Sequence, residues 1–284
     1  MKVVVTGATG FIGNYLIRDL LDRKLEVFAT SSNWGRAKEM DWFSQVSYHA
    51  FSIGDDMDEK TVCFFEDADV VIHLAWQGLP DFKSDNHIHL YLKQQKKFIT
   101  QLTTLKIKRL INIGTCLEYG LQEGGLSEEM PVCPVVNYAI AKNELRLYTE
   151  QIESSFVNRT CWIRLFYMFG EGQSRKSFLP QLHQAIIEQR ETFDMSDGEQ
   201  ERDYLPVQKV SEYIARIALN QNAQGIINCA SGKPIKIRTL AEEFIKKMDS
   251  SIQLNLGVYP YPDYEPVCFW GINNKMRGIL NEEV

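Results

Sequence analysis

Short apolar runs alternate with segments of helical periodicity through the first half of the chain. Six runs predict β-strands, over residues 3–5, 26–30, 46–53, 69–75, 109–114 and 160–166. Three segments place their apolar residues at helical spacing and predict helices, over residues 14–21, 90–105 and 137–155. This alternation predicts an α/β fold in which a parallel sheet carries helices on both faces.

The first predicted strand leads into a glycine-rich turn. Glycines at positions 7, 10 and 13 follow the strand and precede the first helix. Glycine lets the backbone approach a pyrophosphate, and the helix N-terminus offers free N–H groups and a positive dipole end. The pattern predicts a Rossmann-type, doubly wound sheet that binds a dinucleotide. The same G-x-x-G-x-x-G spacing also suits a tight strand–helix turn with no ligand.

The regular pattern loosens after about residue 170, and the chain ends in an irregular segment rich in tyrosine and proline, 259–266. We therefore expect two parts. Residues 1–166 form a dinucleotide-binding domain, with later segments near 204–230 packing back onto it. Residues 167–284 form mainly a smaller C-terminal α/β cap that binds substrate.

Composition and charge exclude several classes of partner. The net charge of −6, without an extended basic block, gives little support for binding nucleic acid or an anionic membrane. The six cysteines include no C-x-x-C pair, and no apolar run approaches the ~20 residues that span a bilayer. His87 and His89 have no further ligand type close by in the chain, so no metal site is expected. We expect a cytoplasmic protein with reduced thiols.

Tyr138 and Lys142 lie four residues apart, on one face of the last predicted helix. A free tyrosine has a pKa of about 10, and a nearby ammonium group favours its phenolate form. The pair is therefore suited to move a proton to or from a sugar hydroxyl or carbonyl. Thr115 follows the fifth strand, at the end of a parallel sheet where ligands bind. The alternative for Tyr138 and Lys142 is a chance pair on a solvated helix face. The alternative for Thr115 is that it caps a helix or turn.

Seven segments together resemble the extended short-chain dehydrogenase/reductase family, whose members are mostly nucleotide-sugar epimerases, dehydratases and reductases. They are residues 7–13 (GATGFIG), 69–75 (DVVIHLA), 115–120 (TCLEYG), 138–142 (YAIAK), 164–170 (RLFYMFG), 198–204 (GEQERDY) and 228–234 (NCASGKP). The resemblance covers essentially the whole chain. It implies a catalytic triad of Thr115, Tyr138 and Lys142, a nucleotide-sugar substrate, and a homodimer formed through helices that include the Tyr138 helix.

The resemblance also implies the ligand contacts. The cofactor residues would be Gly7, Thr9, Gly10, Phe11, Ile12, Gly13, Ser31, Ser32, Arg36, Ser52, Ile53, Leu74, Ala75, Tyr138 and Lys142, with Lys142 on the nicotinamide ribose. The substrate residues would be Trp76, Gln77, Thr115, Tyr167 and Arg202. Trp76 either lines the substrate cleft or closes the core. Arg202 matches the family's nucleotide-phosphate arginine, and its alternative role is an ion pair with Asp203 or Glu201.

Two departures from the family pattern concern the substrate. Dehydratases of the family carry an acidic pair directly after the catalytic threonine, where this chain has Cys116 and Leu117. Without a carboxylate there, removal of a sugar hydroxyl lacks its acid and base, which argues against 4,6-dehydration. Tyr167 stands where the family has a phosphate-contacting asparagine, so any contact there is by stacking or a phenol hydrogen bond.

Two further departures concern the cofactor. Ser31 occupies the position of the acidic residue that binds the ribose of NAD, and Arg36 and Lys38 follow in a loop that suits a 2′-phosphate. We therefore expect NADP(H) to be preferred, with NAD(H) possible; the alternative is that these are ordinary solvated charges. Ser52 stands where an adenine-binding aspartate is frequent, which favours loose retention of the dinucleotide.

Three functions remain open, in this order. The first is NAD(P)H-dependent reduction of a nucleotide-activated 4-keto-6-deoxy sugar, with Tyr138 as proton donor. The second is a nucleotide-sugar 4-epimerase, which uses the same triad and keeps NAD tightly bound. The third is a non-catalytic dinucleotide sensor, against which the intact triad argues, because a sensor has no need of a proton donor.

Overall fold

The computed structural model describes residues 1–156 and 160–282. The strands within these residues are β1 (Lys2–Thr6), β2 (Glu26–Ser31), β3 (Ser47–Ala50), β4 (Val70–His73), β5 (Leu110–Thr115), β6 (Gly124–Leu126), β7 (Cys161–Leu165), β8 (Tyr167–Phe169), β9 (Thr192–Asp194), β10 (Glu201–Pro206), β11 (Gly225–Cys229), β12 (Pro234–Lys236), β13 (Gln253–Asn255) and β14 (Phe269–Gly271). The helices are α1 (Phe11–Asp22), α2 (Trp34–Lys38), α3 (Glu59–Phe65), α4 (Leu92–Leu102), α5 (Asn137–Gln151), α6 (Phe178–Ile187), α7 (Val207–Leu219), α8 (Ile237–Lys247) and α9 (Asn274–Leu280).

Seven parallel strands form the main sheet, in the order β11-β7-β5-β4-β1-β2-β3. The central strand β1 pairs with β2 on one side and β4 on the other, so that Val3 lies beside both Val27 and Val70. The order of the strands reverses at β1, which is the point where open α/β sheets bind ligands. The predicted Rossmann-type, doubly wound sheet is confirmed.

Each face of the main sheet is covered by helices. Val3 and Val5 belong to a core that includes α1, α7 and α9, whereas Val4 belongs to the opposite core with α3, α4 and α5. Because successive side chains of a strand point to opposite faces, an unbroken valine run is what a strand buried on both faces needs.

The second half of the chain contributes both to the main sheet and to a smaller unit. Strand β11 and helix α7 join the main sheet and its first core. The other strands form small sheets, β12-β10-β8, β13-β9 and β14-β6, and α6 and α8 pack together in a separate apolar cluster around Leu182 and Ala241.

Several boundaries differ from the sequence-based expectation, and three of them have a clear structural reason. Strand β3 ends at Ala50, because this edge of the sheet has one neighbour and the chain turns Phe51 inward after a last backbone bond to Ser31. Helix α4 begins at Leu92, after a π-helical turn over His87–Tyr91. Helix α5 ends at Gln151, where the chain passes into a short 3₁₀ turn over Glu153–Ser155.

Candidate active site

The turn between β1 and α1 requires its glycines. Gly7 has φ of +69°, and a Cβ there would lie 2.9 Å from the amide nitrogen of Ala75. A Cβ on Gly13 would lie 2.3 Å from the carbonyl oxygen of Gly7. Gly10 is the N-cap of α1 and has no capping side chain, so the first N–H groups of the helix remain available to an anion. The turn fits the pyrophosphate of a dinucleotide.

A cleft of about 220 Å³ opens at this turn, at the carboxyl ends of the central strands. The predicted cofactor and substrate residues that line it are Gly7, Thr9, Gly10, Ser31, Ser32, Ile53, Leu74, Ala75, Trp76 and Gln77. Thr6, Thr30 and Phe51 also line it and were not predicted, although Thr6 directly follows a predicted strand, Thr30 ends one and Phe51 lies within one. The predicted residues Phe11, Ile12 and Gly13 form the first turn of α1, Ser52 is half-buried beside the cleft, and Arg36 is exposed on α2.

A closed ring of hydrogen bonds holds the wall of the cleft at Ala75. The Ala75 carbonyl accepts from Gln95 Nε2 at 3.0 Å, which turns Gln95 Oε1 toward His73. His73 therefore carries its proton on Nε2, and its Nδ1 accepts from the hydroxyl of Thr6 at 2.7 Å. That hydroxyl oxygen in turn accepts from the Ala75 N–H at 3.2 Å. Burial lowers the pKa of His73 to about 3, so this tautomer persists at neutral pH.

Tyr138 and Lys142 are both buried, so the solvated-face alternative is wrong. Lys142 Nζ donates to the carbonyl of Ile113 at 2.7 Å and lies 4.1 Å from the centroid of the Trp76 ring. Burial lowers the pKa of Lys142 from its usual 10.5 to about 7, although the nearby Glu118 carboxylate acts in the opposite direction. Burial also raises the pKa of Tyr138 above 10, so its phenol keeps a proton to donate.

The depressed pKa predicts that Lys142→Met stabilises the ligand-free protein. Below about pH 7 the native state must hold a buried ammonium group, whereas the unfolded chain carries the same charge in water. The contribution of Lys142 to the free energy of unfolding therefore rises as the pH increases from 7 to 10.5, and it is smallest at low pH. We expect Lys142→Met to raise the free energy of unfolding at pH 6.5 by about 1–3 kcal/mol, and by less at pH 9.5. Urea unfolding at both values measures this.

The matched control for that experiment is Lys209→Met, which removes an exposed lysine paired with Glu212. Its effect should stay within about 0.5 kcal/mol at either pH. A Lys142→Met protein less stable than the original at pH 6.5 would contradict the prediction.

Thr115 caps a short 3₁₀ turn, and Glu118 closes a capping box with it. The Thr115 hydroxyl oxygen accepts from Leu117 N at 3.3 Å, and a Glu118 carboxylate oxygen accepts from Thr115 N at 2.9 Å. The same carboxylate accepts from Trp162 Nε1 at 2.9 Å and from Arg164 Nε at 2.8 Å, entirely out of solvent. The capping role of Thr115 is therefore present, and it leaves the hydroxyl hydrogen free to donate.

The predicted substrate residues Tyr167 and Arg202 meet at one carboxylate. The Tyr167 hydroxyl donates to Glu265 Oε1, and Arg202 donates to Glu265 Oε2 from Nε at 3.2 Å and from Nη2 at 3.0 Å. The ion-pair partner of Arg202 is thus Glu265, and not Asp203 or Glu201. Arg202 Nη1 donates to the carbonyls of Glu201 and Val267. Sequence reasoning missed Glu265, which lies in the irregular terminal segment.

One apolar cluster connects the Tyr138–Lys142 pair with the predicted substrate residue Tyr167. The cluster includes Tyr138, and Tyr167 and Trp76 pack against it. Trp76 therefore closes the core and also lines the cofactor cleft, whereas its contact with substrate stays a prediction. Among the described residues no group of histidine, cysteine and acidic side chains is arranged to hold a metal ion. No helix in the described part of the chain is long and apolar enough to cross a membrane.

Comparison with known proteins agrees with the fold and identifies the family. Residues 3–230 match the NAD dependent epimerase/dehydratase family. The chain belongs to this family. The resemblance to extended short-chain dehydrogenases/reductases is confirmed, and the protein is a relative of NAD-dependent enzymes that modify nucleotide sugars.

Two curated relatives act at the same sugar carbon. The chain is 30% identical to the dTDP-6-deoxy-L-talose 4-dehydrogenase (NAD(+)) of Aggregatibacter actinomycetemcomitans, over 95% of this chain and 99% of that one. It is 23% identical to the dTDP-6-deoxy-L-talose 4-dehydrogenase (NAD(P)(+)) of Kitasatospora kifunensis, over 92% and 83%.

A solved structure shares the fold. The UDP-glucuronic acid 4-epimerase from Bacillus cereus, in complex with UDP-glucuronic acid and NAD, superimposes with a TM-score of 0.86. The identity is 21%, and the match covers all of this chain and 94% of the epimerase.

Proposed function

We propose that this family member reduces the 4-keto group of a nucleotide-activated 6-deoxy sugar to a hydroxyl, with NADPH as hydride donor. The observation that carries the proposal is the buried Tyr138–Lys142 pair, with a protonated phenol beside an ammonium group and Thr115 at the adjacent strand end. The names of the two curated relatives support it, because a 4-dehydrogenase and a 4-keto reductase catalyse opposite directions of one hydride transfer.

The residues divide the reaction between them. Tyr138 donates its phenolic proton to O4 as the carbonyl carbon C4 accepts a hydride, and the C=O group becomes CH–OH. The reduced nicotinamide, when bound, supplies that hydride. Lys142 stabilises the phenolate that remains, and Thr115 donates a hydrogen bond that orients O4.

Dehydration is the wrong chemistry for this site. It needs a free carboxylate after Thr115, and Cys116 and Leu117 provide none. Burial raises the pKa of Cys116 well above its usual value, so that thiol is not a base at neutral pH. The Glu118 carboxylate is enclosed and already accepts from Trp162 and Arg164.

The second candidate is a nucleotide-sugar 4-epimerase, favoured by the likeness to the Bacillus cereus 4-epimerase. It would use Thr115, Tyr138 and Lys142 in the same way but return the hydride to the opposite face of the sugar. An epimerase must retain its dinucleotide through the reaction. Ser31 and Ser52, in place of acidic adenosine anchors, favour exchange instead, so we expect the purified protein to contain little dinucleotide.

A panel of dTDP-, GDP-, CDP- and UDP-linked 4-keto sugars tests the proposal. We expect one class to consume NADPH stoichiometrically and to yield a single 4-hydroxy sugar by NMR. Interconversion of two 4-epimers without net cofactor consumption, with NAD retained through purification, would favour the epimerase. Dinucleotide binding without turnover of any sugar would favour a sensor.

The preference for NADPH is a separate proposal and rests on the end of β2. Residues 31–38 contain no acidic side chain, and Arg36 is exposed in α2, which follows the cleft residues Ser31 and Ser32. The hydroxyl oxygens of Ser31 and Tyr48 are hydrogen-bonded at 2.9 Å, and Lys38 Nζ lies 3.3 Å from the centroid of the Trp34 ring. Among the described residues the Arg36 guanidinium has no such side-chain partner, so we assign the contact with a 2′-phosphate to it.

We expect Arg36→Ala to lower kcat/KM for NADPH by about 10–100-fold, because a charged hydrogen bond to the 2′-phosphate is lost. The kcat/KM for NADH should stay within about 2-fold, because NADH has a hydroxyl in place of the 2′-phosphate. Arg23→Ala, which removes an exposed arginine paired with Asp19 on α1, is the matched control. A kcat/KM for NADH equal to or above that for NADPH in the unmodified protein would overturn the preference.

We also propose that the protein works as a cytoplasmic homodimer, paired through helices that include α5. Sedimentation velocity at micromolar concentration tests the oligomeric state.

A further inference from the structure

Trp76 contacts both members of the catalytic pair. Its ring lies face-on to the ammonium group of Lys142, at 4.1 Å from Nζ to the ring centroid. The same ring meets Tyr138 edge-on, with centroids 5.8 Å apart and planes at 75°. One indole thus limits where the ammonium group and the phenol can lie relative to each other.

The indole is itself held by His87. Trp76 Nε1–H donates to His87 Nδ1 at 3.1 Å, so that ring nitrogen is unprotonated. His87 Nε2 faces the carbonyl oxygen of Asp81 at 2.8 Å, and a carbonyl only accepts, so Nε2 carries the proton. His87 is completely buried, and its ring lies 5.4 Å from that of Tyr138. The imidazole is therefore a neutral acceptor that fixes the orientation of Trp76.

Few other groups stabilise the buried ammonium charge. From the 3₁₀ turn after β5, Glu118 faces Lys142, but its carboxylate is already paired with Arg164. From β4, His73 is neutral because burial lowers its pKa to about 3. On α5 itself, the phenol of Tyr138 is also neutral. Within the described part of the chain, the groups in direct contact with Nζ are the Ile113 carbonyl and the Trp76 ring.

We propose that Trp76, fixed in place by His87, is a positioning residue that keeps Lys142 charged and Tyr138 aligned for proton transfer. The proposal rests on the reductase function in that it assigns Trp76 a role in the same proton donation. The negative face of an indole attracts an ammonium group, and this attraction strengthens when water is excluded. Leucine fills part of the same space and has no such face.

Two substitutions separate electrostatics from bulk. We expect Trp76→Leu to lower kcat about 10-fold while KM for the sugar changes less than about 3-fold, because alignment of the proton donor is lost. The alkaline limb of the kcat–pH profile should move to lower pH by about 0.5–1.5, because the ammonium form loses its partner. Trp76→Phe retains an aromatic face, so the alkaline limb of its kcat–pH profile should stay near the pH of the unmodified protein.

His87→Phe tests the second half of the proposal. It keeps a ring of similar size and removes the acceptor for Trp76 Nε1–H. We expect His87→Phe to lower kcat by less than Trp76→Leu does and to leave the pKa of Lys142 little changed. Tyr213→Leu is the control, since it removes an aromatic ring beside a surface lysine, Lys209, at 5.9 Å on α7.

A measurement without substrate distinguishes this proposal from the proposed function. In ligand-free protein labelled with ¹³C-lysine, the Lys142 resonance should titrate near pH 7 and should titrate lower in Trp76→Leu. If no keto sugar is turned over but the titration shifts as stated, the reductase fails and the role of Trp76 in holding the charge stands. An unchanged titration, or a Trp76→Leu variant altered only in thermal stability, would overturn the positioning role.

Discussion

Tyr138→Phe should lower kcat for the 4-keto sugar by about 10²–10⁴-fold, which is the usual contribution of a positioned proton donor. Burial raises the pKa of the Tyr138 phenol, so the group is protonated at neutral pH and well suited to donate in the reductive direction. Phenylalanine keeps the ring and its edge-on contact with Trp76. The loss therefore isolates the proton from the packing. Steady-state kinetics with the cognate sugar measure it.

Dinucleotide affinity provides the control for Tyr138→Phe. The Kd for NADPH should stay within a few-fold, because the phenol acts on the reacting oxygen and the glycine turn holds the cofactor phosphates. A variant that keeps more than about a tenth of kcat would place the proton donor at another residue.

Glu118→Leu should lower the free energy of unfolding by about 3–5 kcal/mol, the usual penalty for leaving a buried charge unpaired. Arg164 is 1% exposed and would lose its ion-pair partner. The amide of Thr115 and the indole of Trp162 would lose their acceptor as well. Urea unfolding of the ligand-free protein measures the change.

The double variant Glu118→Leu/Arg164→Met should recover most of that loss, because both charges are removed together. Glu242→Ala is the surface control, since its ion pair with Arg238 is exposed and should contribute less than about 1 kcal/mol. A loss below about 1 kcal/mol for Glu118→Leu would mean that Arg164 finds another partner or reaches water.

The parts of the site predicted from sequence are those coded by neighbouring residues. The glycine turn after β1 follows from three residues and the strand and helix beside them, and the Tyr138–Lys142 pair follows from a helical spacing of four. The capping box of Thr115 and Glu118 was equally readable, as a threonine followed three residues later by glutamate. The Glu118 carboxylate stands one position beyond the acidic pair of the dehydratases, and its observed role is to accept from the Thr115 amide.

The remaining contacts join residues that are distant in the chain. Glu265 lies 63 residues from Arg202, and Thr6 lies 67 residues from His73. Such pairs depend on how strands and loops assemble, and neither hydrophobic periodicity nor residue spacing carries that information. Gln95 is a polar residue on the buried face of α4, which is a readable oddity, but its partner becomes apparent only after folding.

The closed ring of hydrogen bonds at Ala75 and the contacts of the predicted substrate residues differ in how freely they can change over evolutionary time. Thr6, His73 and Gln95 each have one donor–acceptor assignment, so a change in any one leaves the other two mismatched. The predicted substrate residues Tyr167 and Arg202 are held instead by Glu265, from an irregular segment outside the main sheet. Under the proposed reductase function, we therefore expect new sugar preferences to arise by substitution in residues 259–266, while the residues assigned to hydride transfer are inherited unchanged.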